Sequence, residues 1–200
     1  MFGASTVKIS YNKLLTRLGY CQSKMKLDSK IVMLIEENLS LAQKIIEPKI
    51  AVASDNIKFI NNNIVCFENG YTMKSRNVAY LLRNCFMAYG VCVTVGSKIE
   101  SKRDEFLKIR EIFKALILDS AGSVAAEETI SIANLRIETY EKNNGNMLTK
   151  RYSPGYGDWV LESNKDFLNW IGSEQIGVSL NKFYHMNPEK SVSALIGVNR

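Results

Sequence analysis

The chain has 200 residues, 46% of them hydrophobic, with 26 Lys and Arg against 20 Asp and Glu and a formal charge of +6. That is enough apolar material for one buried core, so residues 1–200 read as a single domain; there is neither a basic stripe with interleaved aromatics nor a recognisable nucleic-acid module, so no nucleic-acid partner is expected. No run of about 18 apolar residues occurs and the opening M-F-G-A-S-T-V-K lacks the basic-then-apolar order of a secretory signal, so the expectations are no membrane partner and a cytoplasmic location.

Ser10 is placed to cap a short helix through Leu14 and Leu18 that stops at Gly19. Asp28 and Ser29 open a longer one, in which Ile31, Leu34, Ile35, Leu39, Ala42, Ile45 and Ile46 recur at helical spacing until Pro48, so one face must be buried. Lys49 to Ala53, Ile57 to Ile60 and Ile64 to Phe67 read as short strands separated by Asn-rich turns. Ser75 caps a helix through Val78, Leu81 and Leu82 to Cys85, and F-M-A-Y-G-V-C-V-T-V-G then runs in strand formers to Gly96. From Glu100 to about Lys142 the pattern is helical, with a break expected near Gly122. Glu-Arg and Glu-Lys pairs solvate one side of it, while Phe106, Ile109, Ile112, Phe113, Leu116 and Ile117 supply the apolar side. Asn143 to Asn146 form a loop, the stretch from Arg151 a second, and Leu161 to Ile171 a short helix. Ile176 to Met186 and Ser191 to Val198 read as two closing strands joined around Pro188. Strands paired by turns, with long helices set apart, predict an α+β fold: a mainly antiparallel, twisted sheet with long helices packed on it.

Cys21, Cys66, Cys85 and Cys92 are scattered without a C-x-x-C pair and His185 is the only histidine, so no metal site is expected within the chain; free, buried thiols are the reading for Cys85 and Cys92. L-I-L-D-S-A-G-S has one glycine where a nucleotide-binding turn needs several, and A-A-E-E continues the helix, so Ala121 to Ala126 read as small residues for close helix packing. The positive charge, dispersed along the chain, suits an acidic protein partner or a phosphate tail as well as plain solvation.

The most informative stretch is R-Y-S-P-G-Y-G-D-W-V-L, Arg151 to Leu161. It sets a fixed cation, two glycines, one of three prolines and three aromatics in one loop. Pro154 presets φ for a turn, Gly155 and Gly157 accept positive φ or a close ligand, and Arg151 offers a planar fork suited to a carboxylate. Such a combination predicts a loop lining a concave site, against the plain alternative of a connector whose aromatics only pack.

R-x-S-P-G-Y-G-D-W-x-L-E, followed by I-G-V-S-L-N and P-E-K-S-V-S-A-L-I-G-V, resembles the reactivation domain of cobalamin-dependent methionine synthase, and its free-standing form above all. L-L-T-R-L-G-Y, V-T-V-G and L-I-L-D-S-A-G-S-V-A-A-E-E give weaker anchors, so the resemblance spans nearly the whole chain. It implies a domain that binds S-adenosylmethionine and supports reductive methylation of an inactive cob(II)alamin on a synthase lacking its own activation domain, in methionine biosynthesis. The electron would come from a flavodoxin-like or similar donor, the cobalamin would be the partner's, and the chain would be a component of methyltransferase activity rather than a self-sufficient enzyme. The family's R-x-x-x-G-Y falls on Arg151, Gly155 and Tyr156. By resemblance the donor site comprises Arg151, Ser153, Pro154, Gly155, Tyr156, Gly157 and Glu127, with Tyr156 and Tyr184 facing the corrinoid and no residue assigned to catalysis. The pattern departs from the family at Val160 and around Ser163-Asn164, where Pro and Gln are usual. In the full-length enzyme the domain also continues past the strand before Arg200, with an aromatic that helps close the donor site. Donor binding that is weaker or shared with the partner is therefore one expectation, and a non-catalytic module that docks on a corrinoid protein without the donor is the alternative.

Overall fold

The computed structural model describes residues 7–20 and 28–200. Cys21 lies outside them. Helix α1 (Tyr11–Arg17) begins where Ser10 Oγ accepts the Lys13 amide, and α2 (Ser29–Ile45) where Asp28 accepts the Lys30 amide. Ser75 Oγ accepts the Val78 amide at the start of α3 (Arg76–Leu82). All three caps fall where the sequence places them.

Strands β1 (Lys49–Asn61), β2 (Ile64–Phe67), β3 (Thr72–Lys74), β4 (Met87–Thr94), β5 (Met147–Leu148) and β8 (Ser191–Asn199) form one antiparallel sheet in the order β3-β2-β1-β4-β8-β5. β6 (Ser179–Leu180) and β7 (Met186–Asn187) make a separate two-stranded ribbon. The helices α4 (Lys98–Lys108), α5 (Ile112–Asn143) and α6 (Asn164–Ile171) bring the α-helices among the described residues to six, with α3, α5 and α6 against the sheet and the others packed on α5. The expected α+β architecture is the observed one.

Three expectations are corrected. The first two expected strands are one, because β1 pairs with β4 over residues 49–56 and then with β2 beyond a register shift at Ile57 to Phe59, so Asp55-Asn56 is extended backbone rather than a turn. The long helical pattern breaks at Arg110, whose φ of +64° ends α4, whereas Gly122 is buried inside α5. Ile109, Ile112 and Leu116, expected inside, are exposed beside that break, while Ile117 is buried. Residues 176–186 are not one strand: a 3-10 turn (Ser173–Ile176), the two residues of β6 and a tight turn at 181–184 take their place, since Gly177 at φ +79° and Tyr184 at φ +63° interrupt extended backbone.

β4 and β8 carry apolar side chains on both faces, as strands covered on both sides must. Val91, Val93, Ala194 and Ile196 meet Ile130, Ala133 and Ile137 of α5 on one face. Ala88, Cys92 and Leu195 meet α3, α6 and the fully buried Trp159 on the other. Beyond α5, a further apolar layer joins Leu14, Leu15, Ile35 and Ala42 of α1 and α2 to Ala121 and Ala125. The small residues of α5 do serve close packing: a Cβ on Gly122 would stand 3.0 Å from Lys190 Cγ and 3.3 Å from Ile99 Cδ1. Burial pushes the Cys92 thiol up to about 12, and that of the half-buried Cys85 to about 11, which leaves both protonated and unreactive at neutral pH.

Gly90 is the point at which α6 sits on β4: a Cβ there would lie 2.5 Å from the Trp170 ring and 2.7 Å from Ile171. Gly90→Ala should therefore lift α6 and cost about 1–3 kcal/mol by overpacking. Urea unfolding of the variant measures this, and an unchanged midpoint would contradict the seating.

Candidate functional site

The Arg151 loop is built by hanging a short segment from two elements. Tyr152 exchanges both backbone hydrogen bonds with Leu195 of β8, at 3.0 and 2.7 Å, and Ser153 Oγ donates to the Ser193 carbonyl at 2.6 Å. The chain then turns: the Gly155 amide donates to the Trp159 carbonyl at 2.7 Å and the Trp159 amide to the Tyr156 carbonyl at 3.0 Å. Trp159 is buried, stacked on Tyr152 with centroids 6.1 Å apart and edge-on to Phe167 at 5.1 Å. An aromatic of this size anchors the loop's end in the core.

Asp158 ties the loop to α3. Its Oδ1 accepts from Ser75 Oγ at 2.6 Å and the Asn77 amide at 3.1 Å, and its Oδ2 from the Arg76 amide at 2.7 Å. A carboxylate there satisfies amides that the helix itself leaves unpaired. The Ser75 hydroxyl first, then the two amides and the Arg76 guanidinium, hold the Asp158 carboxyl below its ordinary value. Asn77 also donates to the Tyr152 hydroxyl at 3.1 Å, and that hydroxyl donates to the Tyr156 carbonyl at 2.8 Å. Gly157, at φ +56°, lies directly under this pair: a Cβ would run into Asn77 Nδ2 and stand 2.5 Å from the Tyr152 oxygen, so only glycine closes the turn.

The loop, the edge of β8, one face of α5 and the β6–β7 turn enclose a cleft of about 770 Å³. Of the residues assigned to the site from sequence, Arg151, Ser153, Pro154, Tyr156 and Glu127 line it. Gly155 and Gly157 are not in the lining and shape the loop from behind. Tyr184 is not in the lining either; its carbonyl accepts from Asn164 Nδ2 at 3.1 Å, which ties the β6–β7 turn to α6. The expectation of a concave site at the Arg151 loop is thus met, with its glycines and Tyr184 in supporting places.

Arg151 keeps a third of its side chain exposed, and its Nη2 lies 3.8 Å from Glu127 Oε2. An exposed pair at that distance contributes little, so the guanidinium is open to a better-placed anion. Glu128, next to Glu127 on α5, pairs instead with Lys13 at 2.7 Å. Tyr156 is 67% exposed at the mouth.

Several lining residues escape sequence reasoning. Asn164 is buried in the wall, His185 contributes an exposed ring, and Glu189 reaches the cleft while paired with Arg103 at 2.7 Å. Ser191 and Ser193 lie on β8, where Leu195 and Gly197 turn their backbone groups away from β4 toward Tyr152 and Thr149. Strand alternation aims the Ser193 and Ser191 amides the same way, at the cleft. The one signal for these two was the S-V-S start of an otherwise apolar strand, a period of two. Among the described residues no three His, Cys, Asp or Glu side chains gather in a way that would hold a metal, and no helix is long and apolar enough to cross a membrane.

No family model and no curated protein matches the chain. Among solved structures, its fold is that of a methionine synthase reactivation domain. The crystal structure of the MetH reactivation domain bound to AdoHcy is similar at a TM-score of 0.71 and 11% identity, over 96% of this chain and 74% of that one. At that identity the likeness establishes the architecture, and the ligand is a property of the MetH domain.

The tie at Asp158 carries a pH signature. Its folded-state pKa lies below the ordinary value of 3.8, so its contribution is complete above that value and is lost as pH falls through the folded-state one. Asp158→Asn should melt below wild type at pH 7, with the gap narrowing as pH falls below the ordinary value of 3.8. Melting curves across that range provide the check, and a gap independent of pH would mean the carboxylate is not the tie.

Proposed function

We propose that this chain binds S-adenosylmethionine in the Arg151 cleft and supports reductive methylation of cob(II)alamin on a cytoplasmic methionine synthase whose own chain lacks the domain. One observation carries the reading: the R-x-x-x-G-Y residues Arg151 and Tyr156 line a large open cleft, on a fold shared with a domain crystallised with AdoHcy.

The residues present fit such a ligand. About 770 Å³ is within the range of small-molecule sites. The Arg151 fork matches a carboxylate, Glu127 beside it an ammonium, and the Ser191 and Ser193 amides offer donors to a polar ring edge. Tyr156 walls the mouth, on the side from which an acceptor must approach. A corrinoid held by the partner would supply the nucleophile for the methyl group, with the electron from a flavodoxin-like donor and S-adenosylhomocysteine left in the cleft. The chain's own part is orientation and electrostatics, as a component of the methyltransferase rather than an enzyme by itself.

Arg151→Ala should weaken S-adenosylmethionine binding by about 2–3 kcal/mol, roughly 30- to 150-fold, and leave the fold intact because the side chain is outside the core. Arg151→Lys should restore only part of that, since a point charge lacks the fork. Calorimetry on the three proteins, with and without a corrinoid synthase and with circular dichroism melts as the folding control, tests it. Wild-type protein that takes up no donor even with the partner present would hand the domain to the docking role.

A further inference from the structure

Most cations of α4 are paired: Arg103 alone meets Asp104, Asp119 and Glu189, Lys102 meets Glu105 and Lys98 meets Glu47. The solvent face of α3 is different. Arg76, Tyr80 and Arg83 recur there at helical spacing, all exposed, and the chain continues through Asn84 to the exposed Phe86. Arg83 lies flat over the Tyr80 ring, 3.9 Å from its centroid, with Nη1 donating to the Tyr80 carbonyl at 2.7 Å. Arg200 lies over Phe86 at 5.8 Å. Among the described residues neither Arg83 nor Arg200 pairs with a carboxylate, and Arg76 has only Asp158 at 3.7 Å, already held by backbone amides.

We infer that this α3 face is a docking surface for an acidic protein partner. Two arginines held over aromatic rings, neither paired with a carboxylate among the described residues, present guanidinium forks, and that of Arg83 is further fixed by its bond to the Tyr80 carbonyl; Arg and Tyr are enriched among the residues that dominate protein interfaces. Charge complementarity selects carboxylates as the partner's groups, because planar forks accept them with two parallel hydrogen bonds. Asn77 and Asp158 join the face to the Arg151 loop, so a partner seated here stands beside the cleft mouth. The surface does not depend on the methyl-donor reading, since none of Tyr80, Arg83, Phe86 or Arg200 lines the cleft.

The test uses labelled poly-L-glutamate as the acidic polypeptide, and a thymidine oligonucleotide of equal charge, in anisotropy titrations at low ionic strength. Poly-L-glutamate should bind wild type, about tenfold more weakly to Arg83→Glu and several-fold more weakly to the charge-neutral Tyr80→Ala. Lys108→Glu on α4, which alters net charge by the same amount as Arg83→Glu, should change affinity less than twofold. Equal losses for Arg83→Glu and Lys108→Glu would reduce the effect to diffuse net charge and overturn the proposal. So would tighter binding of the oligonucleotide, or no poly-L-glutamate binding at all. Thermal melts matching wild type keep a misfolded variant from imitating the expected loss.

Discussion

The site depends on a mismatch of strand lengths. β8 runs for nine residues, and β5, its neighbour on the outer side, for two. Buried backbone amides and carbonyls need partners, and over part of β8 the chain after β5 supplies them: Thr149 bonds Gly197, Tyr152 bonds Leu195 and Ser153 reaches the Ser193 carbonyl. There the loop turns away, and the cleft opens along the part of β8 it no longer covers. The Asp158 tie and the buried Trp159 set the angle of that departure. The cleft is in this sense an unfilled place in the sheet, with the long helix α5 closing its inner side.

The helix caps, the sheet strands Ile64 to Phe67 and 87–94, and the closing strand were legible because each carries a local signal: a Ser or Asp before a periodic run, or a run of strand formers between glycines. The corrections have a common physical origin. Asp55-Asn56 looks like a turn until β4 lies alongside it, and pairing with Ala88 and Met87 overrides its preference. The helix break at Arg110 has no glycine to announce it, and the exposed Ile109 and Ile112 mislead any periodicity that assumes apolar means buried.

The candidate site divides in the same way. Arg151, Ser153, Pro154 and Tyr156 could be read because they are contiguous, and their turn chemistry implies a loop with a ligand-facing side. Asn164 is brought in by α6, the Ser191 and Ser193 amides by β8 and Glu189 by the turn just before it, all from elsewhere in the chain, and only the S-V-S start of β8 hints at any of them. The α3 face is a sharper case: Arg76, Tyr80 and Arg83 are ordinary helix residues in sequence order, and become a surface only once the other face of α3 is buried through Val78, Ala79 and Leu82.

The pairing of β4 with β8 carries a temporal consequence. Val91 opposes Ala194, so the centre of the sheet joins segments roughly a hundred residues apart, a contact of high order that closes slowly. A ribosome delivers β4 long before β8, and until then one edge of β4, apolar on both faces, is bare. The Arg151 loop has no strand to hang from during that interval. The cleft therefore cannot exist before β8 is made and paired, because both its wall and the anchor of the Arg151 loop belong to that strand.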